Sequence, residues 1–189
     1  MPVLPTTNRE CSIYDTVRLV IDVQCGMFAD PAVQPHEGEA VVGRIARLID
    51  AARTAKVPVI FVQHDGGAGD VLARGEPGFA FRPELAPRDG EPVVVKRFCS
   101  AFQETDLADL LAAWGIGRVA VCGMQTEYCI DTTCRSAFER GLEVTLIGDA
   151  HTTFDSDAMP AAAIIRHHNA TLNGGFVAVR QAEAVRFGD

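Results

Sequence analysis

The chain has 189 residues, of which 17 are Lys or Arg and 25 Asp or Glu, giving a formal net charge of −8 at pH 7. That length fits one α/β domain able to bury roughly 70% of the surface its unfolded chain exposes, so no disulfide or structural metal is needed for stability. The acidic balance argues against nucleic acid or an anionic membrane as the main partner, and no stretch approaches the ~20 apolar residues of a membrane span.

The opening segment MPVLPTTNRECSIYD has two prolines and lacks the apolar core of a signal peptide. It reads as an arm (1–16) preceding a single domain (17–189), and the protein is expected to be cytoplasmic. The six cysteines (11, 25, 99, 122, 129, 134) contain no C-x-x-C pair and are expected to be thiols in a reducing compartment.

Val17 to Val23 (VRLVIDV) is a β-branched run broken by one acid, Asp22. A buried parallel strand reads as a continuous apolar run, so an acid near its carboxyl end stands out. From Glu37 to Lys56, Val41, Ile45, Leu48, Ile49 and Ala52 share one helical face. Val57 to Val62 predicts the second strand, ending at Gln63, His64 and Asp65, and a long glycine-rich loop follows. Loops of that length in compact domains are usually functional or mobile.

Val93 to Val95 predicts a third strand with Lys96 at its end, and Thr105 is placed to cap a helix that turns Leu107, Leu110, Leu111 and Trp114 to the core. Val119 to Val121 leads to Cys122 and Gly123, then to a helix with Ile130, Cys134, Ala137 and Phe138 on its apolar face. Cys129 falls in the first turn, where unpaired backbone N–H groups and the helix dipole favour a thiolate. Glu143 to Ile147 predicts a fifth strand, with Asp149 and His151 shaping the turn after it. Met159 to Asn169 predicts a helix, and Gly175 to Val179 a sixth, edge strand. Alternating strands and helices predict a three-layer α/β/α Rossmann-like sandwich with a mostly parallel sheet of about six strands.

Three reactive side chains, Asp22, Lys96 and Cys129, thus fall at strand ends on one edge of the sheet. In open parallel sheets, ligands bind outside the carboxyl ends of the strands. Strand ends two places apart are separated by roughly 10 Å, a gap that a lysine can bridge. Taken singly, a strand-end acid serves a loop hydrogen bond, a lysine is a solvated charge and a cysteine is core. Together they fit a base, a charge holder and a nucleophile for attack on a carbonyl carbon, with nearby N–H groups receiving the oxyanion. Only two of the 17 basic residues are Lys, so an ammonium at 96 carries some weight over a guanidinium.

The aspartate of VIDVQ, the lysine of VVVKRFCSAF followed by ETDL, and the cysteine of VCGMQTEYCIDTT together resemble the isochorismatase-like cysteine hydrolase family, from about Val17 to Val179. The resemblance implies an Asp22–Lys96–Cys129 triad, a non-proline cis peptide at Met124–Gln125, and an oxyanion hole built from the N–H groups of Gln125 and Cys129. It also implies a homodimer or homotetramer. Nicotinamidase-like members hold a metal with an Asp-x-His pair after the second strand. Here Gln63-His64-Asp65 stands in that place, so neither a metal nor another cofactor is expected.

The vinyl-ether hydrolysis of isochorismate needs no nucleophilic cysteine, so Cys129 favours the amidase branch of the family: a small amide, carbamoyl or lactam substrate, cleaved through a thioester. Isochorismate-like chemistry on the same fold is the alternative. A flavodoxin-like binding module is a third reading, without a G-x-G-x-x-G to support it. Gln24, Phe28, His64, Phe102 and Tyr128 are the pocket candidates, with packing as the competing role for the two phenylalanines and strand capping for His64. His167 and His168 are poor joint ligands, because adjacent helical residues point about 100° apart.

Overall fold

The structure, a computed structural model, describes residues 16–185. The expected N-terminal arm and Cys11 fall outside the described residues, except that Thr16 already belongs to the first strand. Six strands, β1 (Thr16–Ile21), β2 (Val59–His64), β3 (Val93–Lys96), β4 (Arg118–Met124), β5 (Glu143–Thr152) and β6 (Ala178–Arg180), form one sheet in the order β3-β2-β1-β4-β5-β6. Every neighbouring pair is parallel. The helices are α1 (Gly38–Thr54), α2 (Leu107–Ala113), α3 (Asp131–Glu139) and α4 (Ala161–Leu172).

The period-two alternation along β1 sorts the core into two layers. Val17, Leu19 and Ile21 face a cluster with Leu107 and Leu111 of α2, Cys134 and Ala137 of α3, and Leu172 of α4. Val20 faces the other way, into a cluster with Val41, Ile45, Leu48 and Ile49 of α1. Each fully buried aliphatic of this size contributes about 1.5–3 kcal/mol. Helices cover both faces, so the central strands are almost wholly apolar, with the buried Arg18 of β1 as an exception, and the sandwich has three layers.

Several local expectations change. Leu107 and Leu111 are buried, but Trp114 ends α2 on the surface, 39% exposed, and Phe138 is 46% exposed with its ring edge against Phe176. Thr105 lies two residues before the helix, and Asp106 takes the N-cap position. The Thr105 hydroxyl donates to Ala101 O and accepts the Leu107 N–H. The largest difference is in β5, which continues five residues beyond Ile147, through Asp149 and His151 to Thr152. Its last residues pair with the end of β4, Gly123 with His151 and Met124 with Thr152, after a register shift between Val121 and Gly123. Such irregularities re-aim a strand end. Gly123 has φ +127°, and a Cβ there would sit 2.0 Å from Ile21 O, so the β1–β4 contact leaves no room for any side chain.

The glycine-rich segment after β2 folds back onto the sheet through short 3-10 turns at Pro77–Phe79 and Pro83–Leu85, with Leu72, Ala73 and Leu85 buried. Among the described residues, no helix is long and apolar enough to cross a membrane.

Candidate active site

The strand order reverses between β1 and β4, and the candidate residues gather at that switch point. Asp22 follows β1 directly, in the left-handed region at φ 53°, a conformation that Asp tolerates better than most residues. Its N–H still donates to Val62 O, while its carbonyl accepts from Gln24, turning the chain off the sheet. Lys96 is the last residue of β3 and pairs in register with His64 of β2. Cys129 lies in a π-helical turn, Thr126–Ile130, that runs into α3. The peptide between Met124 and Gln125, just before that turn, is cis.

The three side chains meet. Lys96 Nζ lies 2.6 Å from Asp22 Oδ2 and donates to Cys129 Sγ at 3.2 Å and to Phe98 O at 3.1 Å. Both side chains of the ion pair are wholly buried, and Cys129 is 9% exposed. Burial raises the Asp22 carboxyl, against the opposing pull of Lys96. Burial would lower Lys96, but Asp22 and Cys129 outweigh it and hold the ammonium charged. Burial, then the neighbouring Asp22 charge, pushes the Cys129 thiol well up, with Lys96 opposing. Burial and the neighbouring Asp22 charge thus favour a thiol at Cys129, where the position at a helix start alone predicts a thiolate.

The pocket candidates separate. His64 presents Nδ1 to Lys96 Nζ at 3.3 Å, and its imidazole is kept neutral by burial and then by the Lys96 charge. Tyr128, next to the nucleophile, is 53% exposed. Gln24 is instead part of the frame. Its amide accepts from His64 N at 2.8 Å and donates to His64 O and Phe79 O, clamping the loop against β2. Phe28 lies beneath the Arg82 guanidinium at 4.5 Å and beside Gly38. Phe102 is buried in the helix-side core with Arg140 stacked on it at 4.7 Å.

After β2, Asp65 accepts the N–H groups of Gly67 and Arg74 and pairs with Arg97 at 3.3 Å, so its oxygens are committed to the protein. Among the described residues, no group of three or more His, Cys, Asp or Glu is placed to hold a metal ion. His167 and His168 turn to different partners, Thr171 and Asp131. Asp149 accepts the Ala182 N–H and fastens the last described segment.

Sequence patterning missed a buried network behind the turn: Thr126, His151 and Asn169. His151 was visible only as a residue near a strand end, and no local signal marks the other two. Burial lowers the His151 imidazole from 6.5 to about 4, with smaller opposing influences from Asn169 and Asp149 and a lowering one from His168. The sign follows directly. Between those values the unfolded chain binds a proton that the folded one refuses, so stability is lost as pH falls from about 6.5 to about 4, on the order of 3 kcal/mol from this group. Urea midpoints at pH 7 and pH 4.5 are expected to drop more for the wild type than for His151→Gln.

A parallel α/β sandwich with a buried Cys–Lys–Asp cluster at its switch point defines the class, an α/β protein with a candidate active site at the carboxyl ends of its strands. The chain belongs to the isochorismatase family of hydrolases, whose domain profile (Isochorismatase domain) matches residues 16–174. It is 37% identical over 176 residues to a streptothricin hydrolase of Streptomyces noursei, covering 89% of this chain but 63% of that protein, so it spans less than two thirds of that relative's length. It is 32% identical to nicotinamidase 3 of Arabidopsis thaliana, over 80% of each chain. The crystal structure of a cysteine hydrolase from Pseudomonas syringae superposes with a TM-score of 0.85 at 27% identity, covering 95% of this chain and 94% of that one. The family and the three-layer α/β fold expected from the sequence are both borne out.

Proposed function

We propose that the protein is a cysteine-dependent hydrolase that cleaves a C–N bond of a small non-peptide amide, carbamoyl compound or lactam through a thioester. The observation that carries this reading is the contact of Lys96 Nζ with both Cys129 Sγ and Asp22 in one buried cluster. In the proposed sequence, the thiol proton passes to Asp22 as Sγ attacks the carbonyl carbon. The N–H groups of Gln125 and Cys129 receive the oxyanion. Asp22 returns the proton to the leaving nitrogen, and then activates the water that breaks the thioester. Lys96 keeps the negative charge of the Asp22–Cys129 pair balanced throughout. The streptothricin hydrolase and nicotinamidase relatives support hydrolysis in this general class.

Among the pocket candidates, His64 touches Lys96, and Tyr128, next to Cys129 in the chain, is the most exposed. A neutral imidazole and an exposed phenol beside the sulfur suit a small polar, partly planar amide. The test is an ammonia-release screen over nicotinamide, N-carbamoyl, ureido and lactam compounds, with Cys129→Ser as the blank. Turnover of at least one class by the wild type alone is expected. Equal turnover by the blank would remove covalent catalysis.

A further inference from the structure

The turn that carries Cys129 is held from behind by a buried chain of hydrogen bonds with a single direction. Asn169 Nδ2 donates to Gly148 O at 2.9 Å, and a carbonyl can only accept, so the amide orientation is fixed. Its Oδ1 then faces His151 Nε2 at 3.0 Å and must receive the proton there. With Nε2 protonated in a neutral imidazole, Nδ1 is an acceptor, and the partner it faces at 2.9 Å is the Thr126 hydroxyl. Thr126 is fully buried and His151 is 1% exposed. Gly148 permits the arrangement: a Cβ there would lie 3.3 Å from both amide atoms of Asn169.

Thr126 is the first residue of the π-helical turn and follows Gln125 directly. The backbone bonds of the turn are shared, with the Gln125 carbonyl accepting from both Tyr128 and Ile130 and the Asp131 N–H donating to Thr126 O. A π-turn is an uncommon and less regular hydrogen-bonded form than the α-helix, so a side-chain anchor at its first residue bears on the direction of the peptides on either side. An apolar residue at position 151 would fill the same core space without the desolvation of an imidazole. What histidine adds is one acceptor and one donor at fixed directions.

We propose that His151 is a positioning residue that acts through Thr126 to fix the turn whose N–H groups face the reacting carbonyl. This rests on the covalent-hydrolysis reading above. His151 does not touch substrate and is expected to act on the oxyanion geometry rather than on the sulfur. Misplacement by about 1 Å at such a site can reduce a rate by about 100-fold, so partial loosening of the turn should be readable.

The experiment uses acetaldehyde labelled with 13C at the carbonyl, small enough to reach the thiol whatever the natural substrate. The Cys129 sulfur forms the S–C bond, the carbonyl π bond breaks, and the thiol proton ends on the new oxygen, which occupies the oxyanion position as a hemithioacetal. Its dissociation constant is read by NMR, with Cys129→Ala as the blank. Iodoacetamide alkylation, which makes no oxyanion, reports the sulfur separately. Thr126→Val is expected to bind the aldehyde about tenfold more weakly and Thr126→Ser within about threefold of wild type, with alkylation in both within about threefold. Asn169→Ala, on a half-exposed helix position, frees the imidazole tautomer and is expected to weaken the adduct about threefold to tenfold. It decides the matter if Thr126→Val fails to fold by circular dichroism. Wild-type aldehyde affinity in Thr126→Val or, failing that, in Asn169→Ala overturns the positioning role and leaves the Cys129 mechanism intact. A parallel loss of adduct and alkylation also overturns it, because the effect is then general disruption. No Cys129-dependent adduct in the wild type overturns the covalent reading and this inference together.

Discussion

Cys129→Ala is expected to lower kcat by about 10⁴-fold or more on any amide that the wild type hydrolyses, the scale seen when a nucleophile is removed from a covalent hydrolase. A thiol is the strongest candidate nucleophile of the three groups, because Lys96 is held as a charged ammonium and Asp22 is paired with it, and the sulfur sits against Lys96 at 3.2 Å. Removing it leaves Asp22 and Lys96 paired at 2.6 Å, so the variant should fold and still bind substrate. Intact-mass measurement of a quenched reaction checks the chemistry: the wild type should carry one acyl group on Cys129, and the variant none. Full turnover without the thiol would show that water, not sulfur, is the nucleophile.

The second large effect is at Asp22. Asn has the same shape but cannot take the proton, and a loss of about 10³- to 10⁴-fold in kcat is expected, similar to that of a neutral isostere in a hydrolase triad. The variant also separates base from nucleophile. After burial, the Asp22 charge is the main influence that raises the Cys129 thiol, and Lys96 opposes it. With Asp22 neutralised, the pH profile of iodoacetamide alkylation should move to lower pH while turnover collapses. A thiol that becomes more ionised in a less active enzyme is the signature of a lost proton acceptor. In the wild type, burial raises the Asp22 carboxyl above its ordinary 3.8. The acid limb of kcat/KM should therefore lie above that value, with activity falling as Asp22 takes up a proton. Activity in Asp22→Asn equal to that of the wild type would assign the proton transfer to another group, His64 being the titratable neighbour of Lys96 beyond Asp22 and Cys129.

The position of the Thr126–His151–Asn169 network suggests why β5 runs so far. A strand ending at Ile147 would satisfy the sheet. Continuing to Thr152 brings His151 beside Gly123, directly under the start of the nucleophile turn. The same extension carries Thr152 and Thr153, both buried, to hydrogen bonds with His36 O and the Glu127 carboxylate. Three consecutive polar residues, His151 and Thr152 at the end of the strand and Thr153 just past it, are thus used to hold loops rather than to end the sheet.

Much of the architecture could be read from the chain itself. Continuous β-branched runs at Val17, Val57, Val93 and Val119 alternate with helical spacing, and each apolar period assigns the element that its residues form. The acid at Asp22, the lysine at Lys96 and the cysteine at Cys129 were visible because a charge or a thiol at the end of an otherwise apolar run breaks the pattern. Local sequence could not set the strand order, the turn of Asp22 into the left-handed region, or the 2.6 Å ion pair, which depend on pairings between residues far apart in the chain. It also placed Trp114 in the core, where the structure leaves it on the surface, and gave no sign of the partners that Gln24 finds in His64 and Phe79 or Phe28 in Arg82. Most of all, it gave Cys129 the ionisation of an exposed helix start. Composition and period determine which segments are buried and hence the fold. The charge state of a buried thiol is decided by desolvation and by the two groups that the tertiary structure brings against it.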